Sequence, residues 1–536
     1  MEIVLGTYQS YIIPFFNKDG EQKQQLIIHF IKKNRLSISI AVVLFGVYRM
    51  FDNITKPPRN LRHIPQASFF GYLNAFIKKV PIAEVADKYT LPASLQSEHG
   101  LYVRFDNNGW SVRINNPAIA KQFLIRTDIF PKASVSTDRE GTLYGKFAVG
   151  PNVAFINGSH WKAQRKVMNP AFHRSMPVNL FGKLTLKLFN TIDASIDKPI
   201  NFPDMTTRWT LDAIGLAAFG FNFNAICERD NTWVQRYNAI MSNSINPLYL
   251  VFPFIDRKLL FMLPKRRQLH EELDEFLAMI RKMIADKRHL LKERNEPNIA
   301  DREKDLLTLM IEAENEGNGV LTDEELQSNL CIFILAGHDT SSNALSYIAY
   351  YLAIHPDIQQ KVREEAIQVL GDQPIDFIPT LEQSRQFPYL EMVIKETLRI
   401  CGPAASMVVR TATKDTELGG VFIPKGTRVS VDIFESHRNH RTWKSPLTFD
   451  PERFAPGGEA EKLSKLGTAF LPFSDYARKC IGMNFSLAEQ RVFIPMLLRK
   501  YEISLPEDSI HKEKIITNGL IILSPKDLYL NFKRLY

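Results

Sequence analysis

The chain has 536 residues, 45% of them hydrophobic, and a formal net charge of +9; this suits a large single-core enzyme or two to three ordinary domains and excludes a disordered chain. Its four cysteines, Cys227, Cys331, Cys401 and Cys480, are scattered without paired spacing, which argues against a disulfide framework or a zinc site and for a reducing compartment. The basic excess favours acidic partners or anionic lipid, but no zinc finger, RNA-binding signature or sustained basic run is present, so no nucleic acid is expected as a partner.

Near the N-terminus, Leu36 to Tyr48 (LSISIAVVLFGVY) is apolar but shorter than the ~20 residues that usually span a bilayer. Lys32, Lys33, Arg35 and Arg49 flank it, and their long side chains can snorkel and lengthen the effective span. Pro57, Pro58 and Pro65 follow and stop the helix. The stretch starts late and no small-residue cleavage site follows it, which disfavours a removed signal. The expectation is a membrane anchor over 1–56 followed by a catalytic region over 57–536.

Leu101–Phe105 and Trp110–Ile114, joined by a glycine-containing turn, read as a β-hairpin. Asn116-Pro117 opens a short helix, with asparagine as its cap and proline at its first position. Phe130 to Phe155 reads as a long loop region. In Trp161-Lys-Ala-Gln-Arg165 an indole donor and a guanidinium share one helical face and can hold a carboxylate. Arg208 to Phe223 reads as an apolar helix. Leu269, Leu273, Phe276, Leu277, Ile280 and Ile284 recur at helical spacing and predict an amphipathic helix packing one stripe on the core. Phe252 to Leu263, beside it, has apolar residues that could meet a membrane surface.

Thr322-Asp-Glu-Glu325 is a capping box that opens a helix running without proline to His355-Pro356, about 50 Å at ~1.5 Å per residue. Ala336-Gly-His-Asp-Thr-Ser-Ser342 in its middle puts small residues, an acid and hydroxyls where they weaken a helix. Ile332 and Phe333 precede it on the side expected to meet substrate, while His338 reads as a variable position. Glu396-Thr-Leu-Arg399 is an i, i+3 pair, ordinarily worth a few tenths of a kcal/mol, and Pro451-Glu-Arg453-Phe454 lies downstream. Met407 to Arg410 is extended, and Leu418 to Val431 alternates like strands turning at Pro424-Lys-Gly426. Thr517 to Leu520 reads as a turn near the pocket. Finally, Phe473-Ser-Asp-Tyr-Ala-Arg-Lys-Cys480-Ile-Gly482 precedes an apolar helical stretch. Arg478, Lys479 and a following helix N-terminus favour a thiolate, and an electron-rich thiolate is what a heme iron needs to split an O–O bond.

These motifs resemble those of the cytochrome P450 family, specifically its microsomal, fungal-type heme-thiolate monooxygenases. The family's loop reads Phe-x-x-Gly-x-Arg-x-Cys-x-Gly, and Phe473, Arg478, Cys480 and Gly482 match it. Tyr476 stands where the family has glycine, in a backbone position that costs a bulky residue roughly 1–3 kcal/mol. Five motifs, in order, extend the resemblance from Leu101 nearly to the C-terminus.

The resemblance implies a mostly α-helical fold with a small β domain (α+β) and a long central helix over heme. It implies heme b as cofactor and Cys480 as the iron ligand, with Phe473 in the cofactor loop. Trp161, Arg165, Arg410 and Arg478 would hold the propionates, and Asp339 and Thr340 would organise catalytic protons. Glu396, Arg399 and Arg453 would form a buried structural triad. The implied activity is hydroxylation of a lipophilic small molecule, suggested by apolar positions near Phe333, Val408 and Leu520. No nucleotide fingerprint is present, so electrons would come from NADPH-cytochrome P450 reductase, with cytochrome b5 as a second candidate donor. Basic charge including Lys479 and Arg491 would suit docking. The implied location is the endoplasmic reticulum membrane, the catalytic domain facing the cytoplasm. A P450-fold isomerase or dehydratase acting without dioxygen and a non-catalytic heme binder are the alternatives; Thr340 argues against the first, and Tyr476 alone supports the second.

Overall fold

A computed structural model of the chain describes residues 28–536 except 79, 107–108, 134–138, 230, 245, 247, 250–251, 294–299, 317–318, 320 and 520–521. The chain divides into two compact units, Met1–Arg59 and Asn60–Tyr536. In the first, helix α1 (Arg35–Thr55) runs past the apolar stretch by about two further turns. It stops where Lys56 turns extended ahead of Pro57-Pro58, because a residue before proline avoids the helical region. Its apolar side chains, Leu36, Val42, Val43, Leu44 and Phe45 among them, are exposed along the helix.

The second unit is mostly helical with small sheets. The elements that position the site are, in chain order, strands β1 (Leu101–Asp106) and β2 (Gly109–Ile114), helices α2 (Pro117–Ile125), α3 (Leu143–Ala148), α4 (Gly158–Arg174), α5 (Phe202–Ile214), α6 (Thr232–Ser244), α7 (Pro264–Lys292), α8 (Asp323–Ile354) and α9 (Pro388–Cys401), strands β3 (Arg410–Thr411) and β4 (Arg428–Val431), and helix α10 (Met483–Lys500). In the sheet of β1, β2, β4 and β3, the strands stand in that order; β2 runs parallel to β4 and the other pairs are antiparallel.

The local signals act as their chemistry requires. Asn116 accepts from the amides of Ala118 and Ile119, capping α2. Thr322 and Glu325 complete both bonds of the capping box that opens α8. The stripe Leu273, Phe276, Leu277, Ile280 and Ile284 of α7 is buried. Helix α5 begins earlier than expected, capped by Asn201, and a short wider-turn segment (Gly215–Phe219) carries it to Gly220, whose φ of 71° ends it. Two expectations are corrected. The region 130–155 is not all loop: Thr142 accepts from the Gly145 amide and starts α3. The 418–431 stretch also breaks at Gly419-Gly420, both with positive φ, before the turn at Gly426. Thr517–Asn518 pairs with Ser524–Pro525 around a turn; Leu520 lies outside the described residues.

Around α8 lies the main core, packed by α5, α7, α9 and α10. A smaller core of Leu101, Val103, Val112, Ile114, Val429 and Val431 lies against the sheet, closed by Phe123 and Phe130. Leu471, just ahead of the cysteine loop, belongs to that second core.

Candidate active site

The cysteine loop is tied at both ends. The Cys480 amide donates to the Phe473 carbonyl at 2.8 Å, and the Ser474 amide to that of Leu471 at 3.1 Å. Between them, Asp475 accepts from the Tyr476 amide and starts a single 3₁₀ turn, Tyr476–Arg478. This geometry needs positive φ at Ser474 (58°) and Tyr476 (56°). Such a conformation is an outlier for a bulky residue, so the tyrosine occupies the costly backbone state that the family's pattern gives to glycine. Its side chain is exposed. Gly482, by contrast, has an ordinary φ of −82°; a Cβ there would meet no protein atom within 4 Å. Its use is the clear space beside the sulfur, not a special turn.

Cys480 is accessible by surface area yet densely surrounded by protein, as a side chain lining a recess is. Burial pushes its thiol up, while the Gly482 and Met483 amides, Arg165 and Lys479 pull the other way. Burial prevails, and Arg165 replaces Arg478 as the second favourable charge. Arg478 instead turns to the Ile156 carbonyl (3.0 Å) and the Asn157 side chain (2.9 Å), and lies 3.9 Å from the Trp161 ring centre.

Four cations gather beside this recess. Trp161 and Arg165 come from α4, Arg478 from the loop, and Arg410 from β3. The fourth, Lys132, was missed in the sequence. Its strand bridges that of Arg410, and Asn157 clamps its backbone with two bonds of 3.0 Å. Nothing in the local sequence marked it; only the strand bridge brings it to Arg410. Among the described residues none of the four has a carboxylate at ion-pair distance. Burial first, then Arg410 and Arg478, pushes Lys132 down to about 7. Burial alone brings Arg410 to about 10; Arg478 falls to about 10 through burial, Arg410 and Arg165. Gathered, desolvated cations of this kind are a site for an anion.

On α8, Gly337 leaves room for the Ile214 side chain, which a Cβ would approach to 3.3 Å. The helix stays unbroken through Thr340, whose hydroxyl donates to the Ala336 carbonyl at 2.5 Å, leaving its lone pairs to accept. His338 is buried, and its Nδ1 lies 3.0 Å from Asp339 Oδ1. Phe333 packs edge-on against Phe172 of α4 (5.0 Å) and, with Ile332, belongs to the core. Val408 is exposed.

The scaffold under the loop is a chain of buried hydrogen bonds. Arg399 binds Glu396 through Nε and Nη2 (2.7 and 2.8 Å), and Arg453 Nε reaches Glu396 at 3.3 Å. Arg399 also donates to the His437 carbonyl at 2.7 Å, and His437 Nε2 accepts from the Leu471 amide at 2.9 Å. Burial and Arg399 push His437 down to about 3, so it stays neutral as that acceptor demands. Arg491 pairs with Glu391, so its charge is compensated; Lys162 and Lys166 on α4 are exposed.

A profile described as Cytochrome P450 matches residues 90–532. Cytochrome P450 3A12 of Canis lupus familiaris is 28% identical over 520 residues, 92% of this chain and 96% of that one. Cytochrome P450 3A29 of Sus scrofa is 30% identical over 438 residues, 78% of this chain and 81% of that one. Among solved structures, the heme domain of a cytochrome P450DA mutant superposes with a TM-score of 0.70 at 22% identity, covering 83% of this chain and 92% of that one.

Proposed function

The chain belongs to the cytochrome P450 family and is a heme b monooxygenase, and on that premise we propose that it hydroxylates a lipophilic small molecule with electrons from a separate NADPH-dependent reductase. The observation that carries the reading is a cysteine sulfur beside Arg165, which leads on through Arg478 to Arg410 and Lys132, four cations that have no carboxylate at ion-pair distance among the described residues. That donor set fits an iron porphyrin, whose metal takes a thiolate and whose two carboxylates take the cations. When bound, the heme supplies dioxygen activation.

The chain's own residues do the rest. Cys480 holds iron, and Phe473 anchors the loop through its carbonyl. Trp161, Arg478, Arg165, Arg410 and Lys132 orient the propionates. Asp339 carries protons toward the recess, and Thr340, its own proton engaged by Ala336, accepts a hydrogen bond there. Lys162, Lys166 and Lys479 form the face for an acidic reductase or cytochrome b5, without Arg491.

Residues 1–56 serve as a membrane anchor to the endoplasmic reticulum, with 57–536 as the heme domain on the cytoplasmic side. In support, the span Arg35–Leu61 contains an 18-residue stretch of mean hydropathy 1.4 that is almost wholly exposed. Phe252, Phe254, Phe261 and Met262 are also exposed beside Arg257 and Lys258, a combination suited to an anionic lipid surface.

The test begins with the carbon-monoxide complex of the reduced protein, expected to show the red-shifted Soret band of thiolate ligation and to lose it in Cys480→Ala. Lauric acid, cholesterol and geraniol, one each for fatty acids, sterols and terpenoids, are then screened by spectral shift and turned over with NADPH and purified reductase. In Thr340→Ala, NADPH consumption continues while product per NADPH falls and hydrogen peroxide rises. Survival of the band in Cys480→Ala, or unchanged coupling in Thr340→Ala, would overturn the respective assignment.

A further inference from the structure

Among the buried polar atoms without a partner, two meet across a ring contact at the middle of α8. His338, 2% exposed, stands edge-on to Tyr237 of α6, ring centres 5.4 Å apart at 71°. Its Nε2 and the Tyr237 hydroxyl are both buried, and among the described residues neither has a hydrogen-bond partner. Such atoms are normally satisfied by each other or by internal water. On its other side, Nδ1 is 3.0 Å from the Asp339 carboxylate.

We propose that Tyr237, His338 and Asp339 form one fixed hydrogen-bond chain in which His338 is the positioning residue for Asp339. The polarity of the chain follows from its ends. A carboxylate only accepts, so the ring proton sits on Nδ1, and Nε2 is left as an acceptor. A phenol is the donor that position needs. Burial, then Asp339 and Cys331, raises Tyr237 well above its ordinary value, so it keeps its proton. The phenol therefore donates to Nε2 through one internal water and locks the tautomer that holds Asp339.

The geometry makes this a constraint on Asp339. Successive residues on a helix diverge by about 100°, so side chains at i and i+1 do not meet by default. A bond between them fixes both. The Asp339 side chain remains 36% exposed, so a carboxylate held by one oxygen still presents the other. The proposal rests on the monooxygenase reading for what Asp339 does, but the hydrogen-bond chain does not.

Two readouts separate them. Full-length, heme-loaded protein labelled with ¹⁵N-histidine, its His338 signals assigned by their loss in His338→Phe, is expected to show a protonated Nδ1 and a bare Nε2. Tyr237→Phe, which keeps the packing, should shift the Nε2 signal, and Asp339→Asn that of Nδ1. Coupling is then measured with whichever of lauric acid, cholesterol or geraniol gives the largest spectral shift, using only variants that keep the carbon-monoxide band. His338→Asn places an amide N–H near the Nδ1 position and should keep product per NADPH within about twofold. His338→Gln, which mimics Nε2, and His338→Phe should lose up to about a hundredfold, the scale of a misplaced catalytic group. A proton found on Nε2 in the wild type overturns the proposal, as does a His338→Asn variant no better coupled than His338→Phe. If the wild type turns over none of the probes, the monooxygenase reading fails, while the tautomer result still decides the chain.

Discussion

Tyr476 concentrates strain at a single residue: its φ of 56° lies in the left-handed region and its exposed side chain offers little packing in return. Tyr476→Gly is expected to stabilise the protein by roughly 1–3 kcal/mol, read as a higher thermal midpoint and slower heme loss. Tyr476→Ala, which keeps a Cβ, should gain much less. Equal midpoints for the glycine variant and wild type would show that the loop carries no such strain. Lys132 gives a pH test. Its ordinary value is 10.5, and in the folded protein it falls to about 7. Between those values the unfolded chain binds the extra proton, so this site's contribution to stability rises with pH across that window and is lost as pH falls toward 7. Denaturation midpoints of heme-free protein at pH 7 and 9 should therefore rise less in Lys132→Met than in wild type; identical slopes would remove Lys132 from the cluster. Cys480, Arg478 and Arg165 were legible because a motif fixes their spacing. Lys132 and the His338 ring contact were not, since one is brought in by a strand bridge with a residue far along the chain and the other by Tyr237 of a separate helix.

The link from α9 to the cysteine loop is the element on which the site depends. Glu396 is fully buried with Arg399 and Arg453, and Arg399 continues through His437 to the Leu471 amide. Removing the carboxylate leaves the buried Arg399 guanidinium uncompensated and Arg453 with Glu459 alone, so Glu396→Gln should cost roughly 3–5 kcal/mol. The expected sign is protein that accumulates poorly and retains little heme, measured by heme content per chain; normal heme content would show the triad to be dispensable. Elements with strong local chemistry were readable: the capping box of α8, the asparagine cap of α2, the apolar stripe of α7. Helix α3 was hidden in a glycine- and proline-rich stretch, where a single threonine cap and burial of Leu143 and Phe147 outweigh composition.

At the scale of the molecule, the two cores described above lie wholly within 60–536. A chain lacking residues 1–56 is therefore expected to fold, load heme and give the carbon-monoxide band, checked on the purified truncation; failure to load heme would mean that the N-terminal region does more than anchor. The same truncation should still bind anionic vesicles. Phe261→Asp should weaken that binding by roughly 1.5–3 kcal/mol, the value of burying one such side chain, and co-sedimentation measures it. The mostly helical class followed from the family resemblance. The placement of the small sheet was not readable, because β2 and β4 pair in parallel across more than 300 residues and only the folded chain brings them together. Lys132, Arg165, Arg410 and Arg478 repel one another until an anion joins them, so the folded chain is stabilised by its ligand through mass action. A cell short of porphyrin would make the polypeptide at the usual rate but leave a larger share open to proteolysis. Abundance of the protein would then track porphyrin supply, with degradation rather than synthesis setting the level.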